Sequence, residues 1–308
     1  QDGSGVRKTD FLRQTEVHFD GKSELPNGLT VGIHIEGQAD GADDFFLDES
    51  YVFGSGSWGK VNFGRTYGAP YVLQVVAPSA DSNVDGRLQL FTPINYSAAG
   101  ISLGTSTETD YDQDVSAKYD KITYVTPLFS GLQAGISYTP ESNGTSRGSN
   151  GNDADNHTTA SSDIWEGAVR FENKVNETLS YVVGAGYTKA QVETGSNPDR
   201  EAWNTGLSVK LGAVGLGATY QSDDLGDAHD TAKYAVVGAD YTMGSFVYGV
   251  NYYNKNDDVN TVDLKRYSVG VGYKLVPGIG FRGSVGYYDV NDADSSANAT
   301  AVLIGTDI

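Results

Sequence analysis

The sequence predicts an all-β chain, a 16-stranded antiparallel transmembrane β-barrel with fifteen strands inside these 308 residues and the first expected ahead of Gln1. Three observations predict it. Apolar residues recur at every second position, over runs that end in Gly, Asp or Asn. The connections between runs alternate between tight and long. One face of each run is apolar and ends in an aromatic residue, whereas the other is Gly, Ser, Thr, Asn and an occasional charge. That is the reverse of a soluble β-sandwich, the main alternative for alternating strands, which would expose a charge-rich face.

Taken in order, strands are expected near 10–20, 29–38, 44–54, 59–66, 115–126, 131–140, 163–173, 179–190, 201–212, 213–222, 231–242, 246–255, 261–275, 279–290 and 298–308. "DIWEGAVRFEN" shows the rule, with Trp165, Val169 and Phe171 opposite Glu166, Ala168 and Arg170. Tyr124, Tyr138, Phe171, Tyr187, Tyr220, Tyr241, Tyr252, Tyr273 and Tyr287 sit near the ends of apolar faces, as interfacial aromatic girdles require. Fifteen is odd and such barrels have even strand numbers, hence the strand expected before Gln1. Residues 1–308 read as one barrel domain. Within it, 67–114 breaks the alternation for far longer than a turn needs, and long ordered loops are usually functional. Its stretches "YVLQVV" and "LQLFTPI" are apolar, so the excursion is expected to fold inward against the wall and narrow the lumen. A contact loop between subunits is the alternative.

Composition bounds the rest. No cysteine is present, which excludes disulfides and thiolate metal sites. A formal charge of −19 argues against a nucleic-acid partner. No apolar run approaches the ~18 residues of a spanning helix, and a mean hydropathy of −0.37 fits a barrel as well as a soluble protein.

Catalytic motifs fail on context. Gly144-Thr145-Ser146-Arg147-Gly148 matches G-x-S-x-G but lies in a Gly/Asn/Ser loop rather than a strand-to-helix elbow. Gly54-Ser55-Gly56-Ser57-Trp58-Gly59 matches G-x-G-x-x-G, but a strand follows it. His18, His34, His157 and His229 lack metal-ligand spacing; His34 and Glu36 share a face and read first as lumen lining. No cofactor is required by any motif. Acidic loops at Asp40–Asp44, Asp153–Asp155, Asp223–Asp227 and Asp292–Asp294 invite a calcium reading, against a solvated charged loop.

"VNFGRTYGAP", a long third loop and "KITYVTPLFSGLQAGISYTP" resemble the general diffusion porins of Gram-negative outer membranes, closest to the α-proteobacterial branch. "FDGKSELPNGLTVGIHIE" and "ESYVFGSGSWGKVNFGR" fit the family's early hairpins. The resemblance implies a homotrimer of water-filled barrels in the bacterial cell outer membrane, in contact with lipid and lipopolysaccharide. It implies passive diffusion of small hydrophilic solutes and no catalysis, with a substrate-specific channel or a barrel enzyme as rivals. It also implies a constriction where basic wall residues face acidic loop residues. Arg65 stands where enterobacterial relatives place a constriction arginine, although strict alternation gives it the parity of Phe63; a bulge at Gly64 would re-aim it. Lys118 and Lys121 complete the basic side, and Asp81, Asp85, Glu108, Asp110, Asp112 and Asp114 are the acidic candidates. Glu16 occupies the place of a basic residue in those relatives. Parity points Glu16, His34, Glu36, Glu166, Arg170, Lys210, Lys274 and Arg282 into the lumen. An acid-weighted lumen predicts mild cation selectivity.

Overall fold

In a computed structural model the described residues are 9, 11, 13–39, 45–80, 111–142, 161–193 and 197–308. They form fifteen strands: β1 (Glu16–Glu24), β2 (Thr30–Gln38), β3 (Phe46–Gly56), β4 (Gly59–Arg65), β5 (Asp120–Val125), β6 (Leu132–Ser142), β7 (Ser161–Lys174), β8 (Leu179–Val192), β9 (Arg200–Leu211), β10 (Val214–Asp223), β11 (Ala232–Met243), β12 (Phe246–Asp257), β13 (Val262–Val276), β14 (Ile279–Asn291) and β15 (Ser296–Asp307). All pair antiparallel with their chain neighbours in one sheet, ordered β1 to β15 without a crossover. One short helix, α1 (Ala69–Leu73), follows β4.

Two elements differ from expectation. β1 begins at Glu16, six residues later than position 10, and runs on to Glu24, where the amide of Gly28 closes a turn on the Leu25 carbonyl. β5 begins at Asp120 rather than 115, because residues 115–118 turn and Ala117 adopts a φ of 39°, which no extended strand accommodates.

The alternation works as the sequence implies. On β9, Trp203 and Leu207 are exposed while Ala202, Asn204 and Gly206 are buried. On β13, Tyr267 and Val269 are exposed while Leu264, Arg266 and Ser268 are buried. The outward apolar residues carry two aromatic belts. Near the long loops Tyr138 meets Trp165, Trp203 meets Tyr220, and Tyr252, Tyr267 and Tyr287 form a chain of ring contacts. Near the short turns Phe246 meets Tyr248 and Tyr273, and Phe171 meets Tyr181. Amphipathic rings at both rims of an apolar band match the two interfaces of a bilayer.

The described arms of the excursion after β4, residues 67–80 and 111–114, lie on the inner, polar face. α1 packs on β5, β6, β7 and β8, and residues 74–80 continue across β8 to β13. A row of glycines receives them. A Cβ on Gly186 would lie 2.8 Å from Pro70 Cβ, on Gly206 2.1 Å from the Val75 carbonyl oxygen, and on Gly217 2.7 Å from Pro78 Cδ. The row continues at Gly238, 2.2 Å from the Pro78 carbonyl oxygen, and Gly249, 2.6 Å from the Ala80 nitrogen. Gly184 pairs with Gly206 and Gly217 with Gly238 across neighbouring strands, so the row is a continuous shallow track. Glycine is needed here because backbone approaches backbone. Farther toward the long loops the inner face is apolar. Val236, Tyr253, Val262, Leu264, Tyr288 and Val290 are buried there with Ala77 and Tyr111 of the excursion.

Candidate functional site on the inner wall

Both arms of the excursion are tied to each other and to the wall. Gln74 Nε2 donates to the Tyr111 carbonyl (2.9 Å) and the Gln113 amide donates to Gln74 Oε1 (3.1 Å). Gln113 Nε2 reaches Thr188 Oγ1 and the Ala202 carbonyl, both at 3.0 Å. Thr219 Oγ1 donates to the Val75 carbonyl (2.9 Å) and Gln221 Nε2 to the Asp112 carbonyl (3.3 Å). Beneath α1, Glu166 accepts from Ser116 Oγ (2.8 Å) and Ser137 Oγ (2.7 Å), and Ser137 Oγ in turn accepts the Ala69 amide (3.0 Å). Glu166 is thus an anchor for the excursion rather than a free lumen charge.

The basic candidates divide three ways. Lys118, in the turn ahead of β5, donates to Glu36 Oε1 (3.3 Å) and to Asp48, and its ammonium lies 4.8 Å from the Tyr67 ring centre. Burial alone would lower its pKa, but the Asp48 and Glu36 carboxylates outweigh that and raise it. Lys121 is buried, and its ammonium donates to the carbonyls of Thr66, Ser116 and Ala117. It ties the feet of the excursion together. Arg65 is the third case. Gly64 does take a positive φ of 128°, but the β3–β4 and β4–β5 ladders run through it without a register shift. In both ladders Arg65 keeps the register of Phe63, pairing with Ser50 and Asp120, and its side chain is half-buried with Nε covered.

Of the acidic candidates, Asp81, Asp85, Glu108 and Asp110 lie outside the described residues, as do Asp40–Asp44, Asp153–Asp155 and the serine motif at 144–148. Asp112 and Asp114 line a cavity of about 220 Å³ with Arg200, Asp223, Lys255 and Asp257. Arg200 holds Asp223 in a two-point ion pair (2.9 and 2.5 Å), and Lys255 pairs with Asp257 (3.2 Å). The inner-wall candidates Arg170 and Arg282 pair with Glu172 (3.6 Å) and Asp307 (2.7 Å). Lys210 stands on the inner face near the short turns, beside Glu172, Ser180 and Val182. Lys274 shares the parity of Arg266 and Ser268, just before a bulge between Lys274 and Val276. The loop carboxylates described serve their own turns: Asp227 accepts the amides of His229 and Asp230, and Asp292 those of Asp294 and Ser295.

Glu16, His34 and Glu36 come together with residues the alternation did not flag. The β2–β3 ladder shifts register at Glu36/Gly37, so that Glu49 faces Glu36 and Gly37 faces Leu47, leaving Asp48 as the extra residue. Asp48 and Glu49 both reach the inner face, Asp48 toward Lys118 and Glu49 toward Thr66 Oγ1 (3.2 Å). A one-residue bulge exchanges the two faces, which hides this pair from a strict period of two.

Three comparisons bear on identity. A family model described as Gram-negative porin matches residues 1–293. An uncharacterized protein of Rickettsia bellii is 24% identical over 296 residues, which cover 75% of this chain and 67% of that protein. Among solved structures, an anion-selective porin from Comamonas acidovorans superposes with a TM-score of 0.63 at 18% identity, over 95% of this chain and 88% of the other. A variant of the Rh. blastica porin gives 0.59 at 17% identity, over 99% and 94%. With the inward excursion, the lipid-suited outer face and a family match over nearly all of its length, the chain belongs to the Gram-negative porins, the diffusion channels of the bacterial outer membrane.

Proposed function

We propose that this porin is a passive, trimeric channel for small hydrophilic solutes whose lumen is narrowed by the 67–114 excursion and mildly favours cations. The observation that carries the selectivity is the make-up of the wall around Lys118. Glu16, Asp20, Glu36, Asp48 and Glu49 converge there, five carboxylates against Lys118 and Lys60, with His18, His34 and Tyr51 among them. The cavity beside the returning arm repeats the excess, with Asp112, Asp114, Asp223 and Asp257 against Arg200 and Lys255. Carboxylates along a low-dielectric lumen raise the local cation concentration, and the chain's −19 charge acts in the same sense. The selectivity in the name of the Comamonas porin belongs to that protein; at 18% identity the likeness extends to the fold.

The test is single-channel recording in a planar bilayer across a potassium chloride gradient. Discrete steps with a cation-sign reversal potential are expected, and Glu36→Gln with Glu49→Gln should move that potential toward zero. An anion-sign potential refutes the selectivity. A folded barrel that never conducts refutes the open lumen.

A further inference from the structure

We propose that His18, His34 and Glu36 form a site for a single divalent transition-metal ion of the zinc class on the inner wall. The three side chains stand on the neighbouring strands β1 and β2, where His18 pairs directly with Glu36 and Asp20 with His34. Their ligand atoms, two imidazole nitrogens and one carboxylate oxygen, all lie within 4.8 Å of one another. His18 Nδ1 is 3.6 Å and His34 Nε2 3.9 Å from the same oxygen, Glu36 Oε2. Glu49 Oε2, on β3, is 3.8 Å from His34 Nε2 and offers a fourth ligand.

Two features separate this cluster from a patch of wall charge. First, each ring has a carboxylate on its far nitrogen: Asp20 Oδ1 at 2.8 Å from His34 Nδ1, and Glu16 Oε2 at 3.5 Å from His18 Nε2. The Asp20 contact is a hydrogen bond in which the ionised carboxylate can only accept, so His34 Nδ1 donates and Nε2 is the atom turned toward Glu36 and Glu49. Carboxylate–histidine–metal relays use this arrangement to fix the tautomer and raise ligand basicity. Second, His34 Nε2 lies near two carboxylate oxygens, Glu36 Oε2 (3.9 Å) and Glu49 Oε2 (3.8 Å), at separations too long for hydrogen bonds. The Glu36 carboxylate is already divided for the purpose, since Lys118 holds Oε1 and leaves Oε2 to the rings. Mixed nitrogen and oxygen donors select zinc-class ions over magnesium or calcium, which prefer oxygen alone. Donor atoms held about 2.0–2.2 Å from one tetrahedral zinc ion lie roughly 3.3–3.5 Å from each other, so separations of 3.6 and 3.9 Å need only small side-chain shifts to close on an ion.

Zinc titrated calorimetrically into the detergent-folded full chain tests this, and the readout does not require the barrel to conduct. One ion per chain is expected, retained against a large excess of magnesium. His18→Gln and His34→Gln should each weaken binding at least tenfold. Asp20→Asn touches no metal, yet should also weaken it about tenfold through the His34 tautomer. X-ray absorption of the zinc-loaded protein should show a mixed nitrogen/oxygen shell. Unchanged affinity in His18→Gln, or displacement by magnesium, overturns the proposal in favour of diffuse attraction to carboxylates. The His18 ring is half-exposed, so that variant decides the matter even if His34→Gln fails to fold.

Discussion

Adding one methyl group at Gly206 is the sharpest test of how the excursion is held. An alanine Cβ there would lie 2.1 Å from the Val75 carbonyl oxygen, 2.9 Å from its carbonyl carbon and 3.0 Å from its Cβ. An ordinary contact needs roughly 3.5 Å, so the Val75 carbonyl must retreat by about 1.4 Å or the β9 wall must bend. The two nearest atoms are backbone, and neither can swing aside like the end of a side chain. Retreat also breaks the Thr219 Oγ1 bond to the Val75 carbonyl. Overpacking of this kind costs ~1–3 kcal/mol, and the lost hydrogen bond adds about 1 kcal/mol. Gly54 is the control, because a Cβ there meets nothing within 4 Å. Denaturant unfolding of the barrel in lipid vesicles should separate Gly206→Ala from Gly54→Ala by more than ~1 kcal/mol. Single-channel conductance should change only in Gly206→Ala. Equal stability and equal conductance in the two variants would refute the close approach of excursion and wall.

Two further outcomes follow from the hydrogen-bond pattern. Lys121→Met keeps most of the apolar stem but removes the ammonium and strands the carbonyls of Thr66, Ser116 and Ala117. It should cost about 1–3 kcal/mol in the same unfolding assay, and a loss below ~0.5 kcal/mol would show that Lys121 is no tether. In the loop after β10, the amides of His229 and Asp230 hold the Asp227 carboxyl below the usual carboxylate range. A lowered folded-state pKa contributes stability above the unfolded value and loses it as pH falls through the folded one. Exchange protection at those two amides should therefore be level down to about pH 4 and decline below it. Asp227→Asn should flatten that decline.

The strands were legible because each needs only its own alternation, and thirteen of the fifteen lie close to where that alternation puts them. β1 and β5 were not, for local reasons: a turn built on Gly28 prolongs the first, and the positive φ of Ala117 cuts back the second. The inward path of the excursion was foreseeable from "YVLQVV", since apolar residues in a long loop require cover. The wall that provides the cover was hidden. In a sequence a glycine reads only as small, and the row from Gly135 to Gly249 takes its meaning from a segment far away in the chain. The charges divide the same way. Glu36 and His34 were readable by parity, whereas Asp48 and Glu49 depend on a bulge and Arg65 on the absence of one.

The glycine track also dictates an order of assembly. Its floor is made from β6, β8, β9, β10, β11 and β12, and the Thr219–Val75 bond alone closes a separation of 144 residues. No part of that floor exists until the later hairpins have paired, so the excursion, though synthesised early, has nowhere to dock until late. Contacts of such high sequence separation form slowly, because loop closure precedes any gain from contact. A newly inserted barrel should thus pass through a wide-bore stage. Conductance followed from the first moments of insertion would then begin high and step down as the segment settles onto its track.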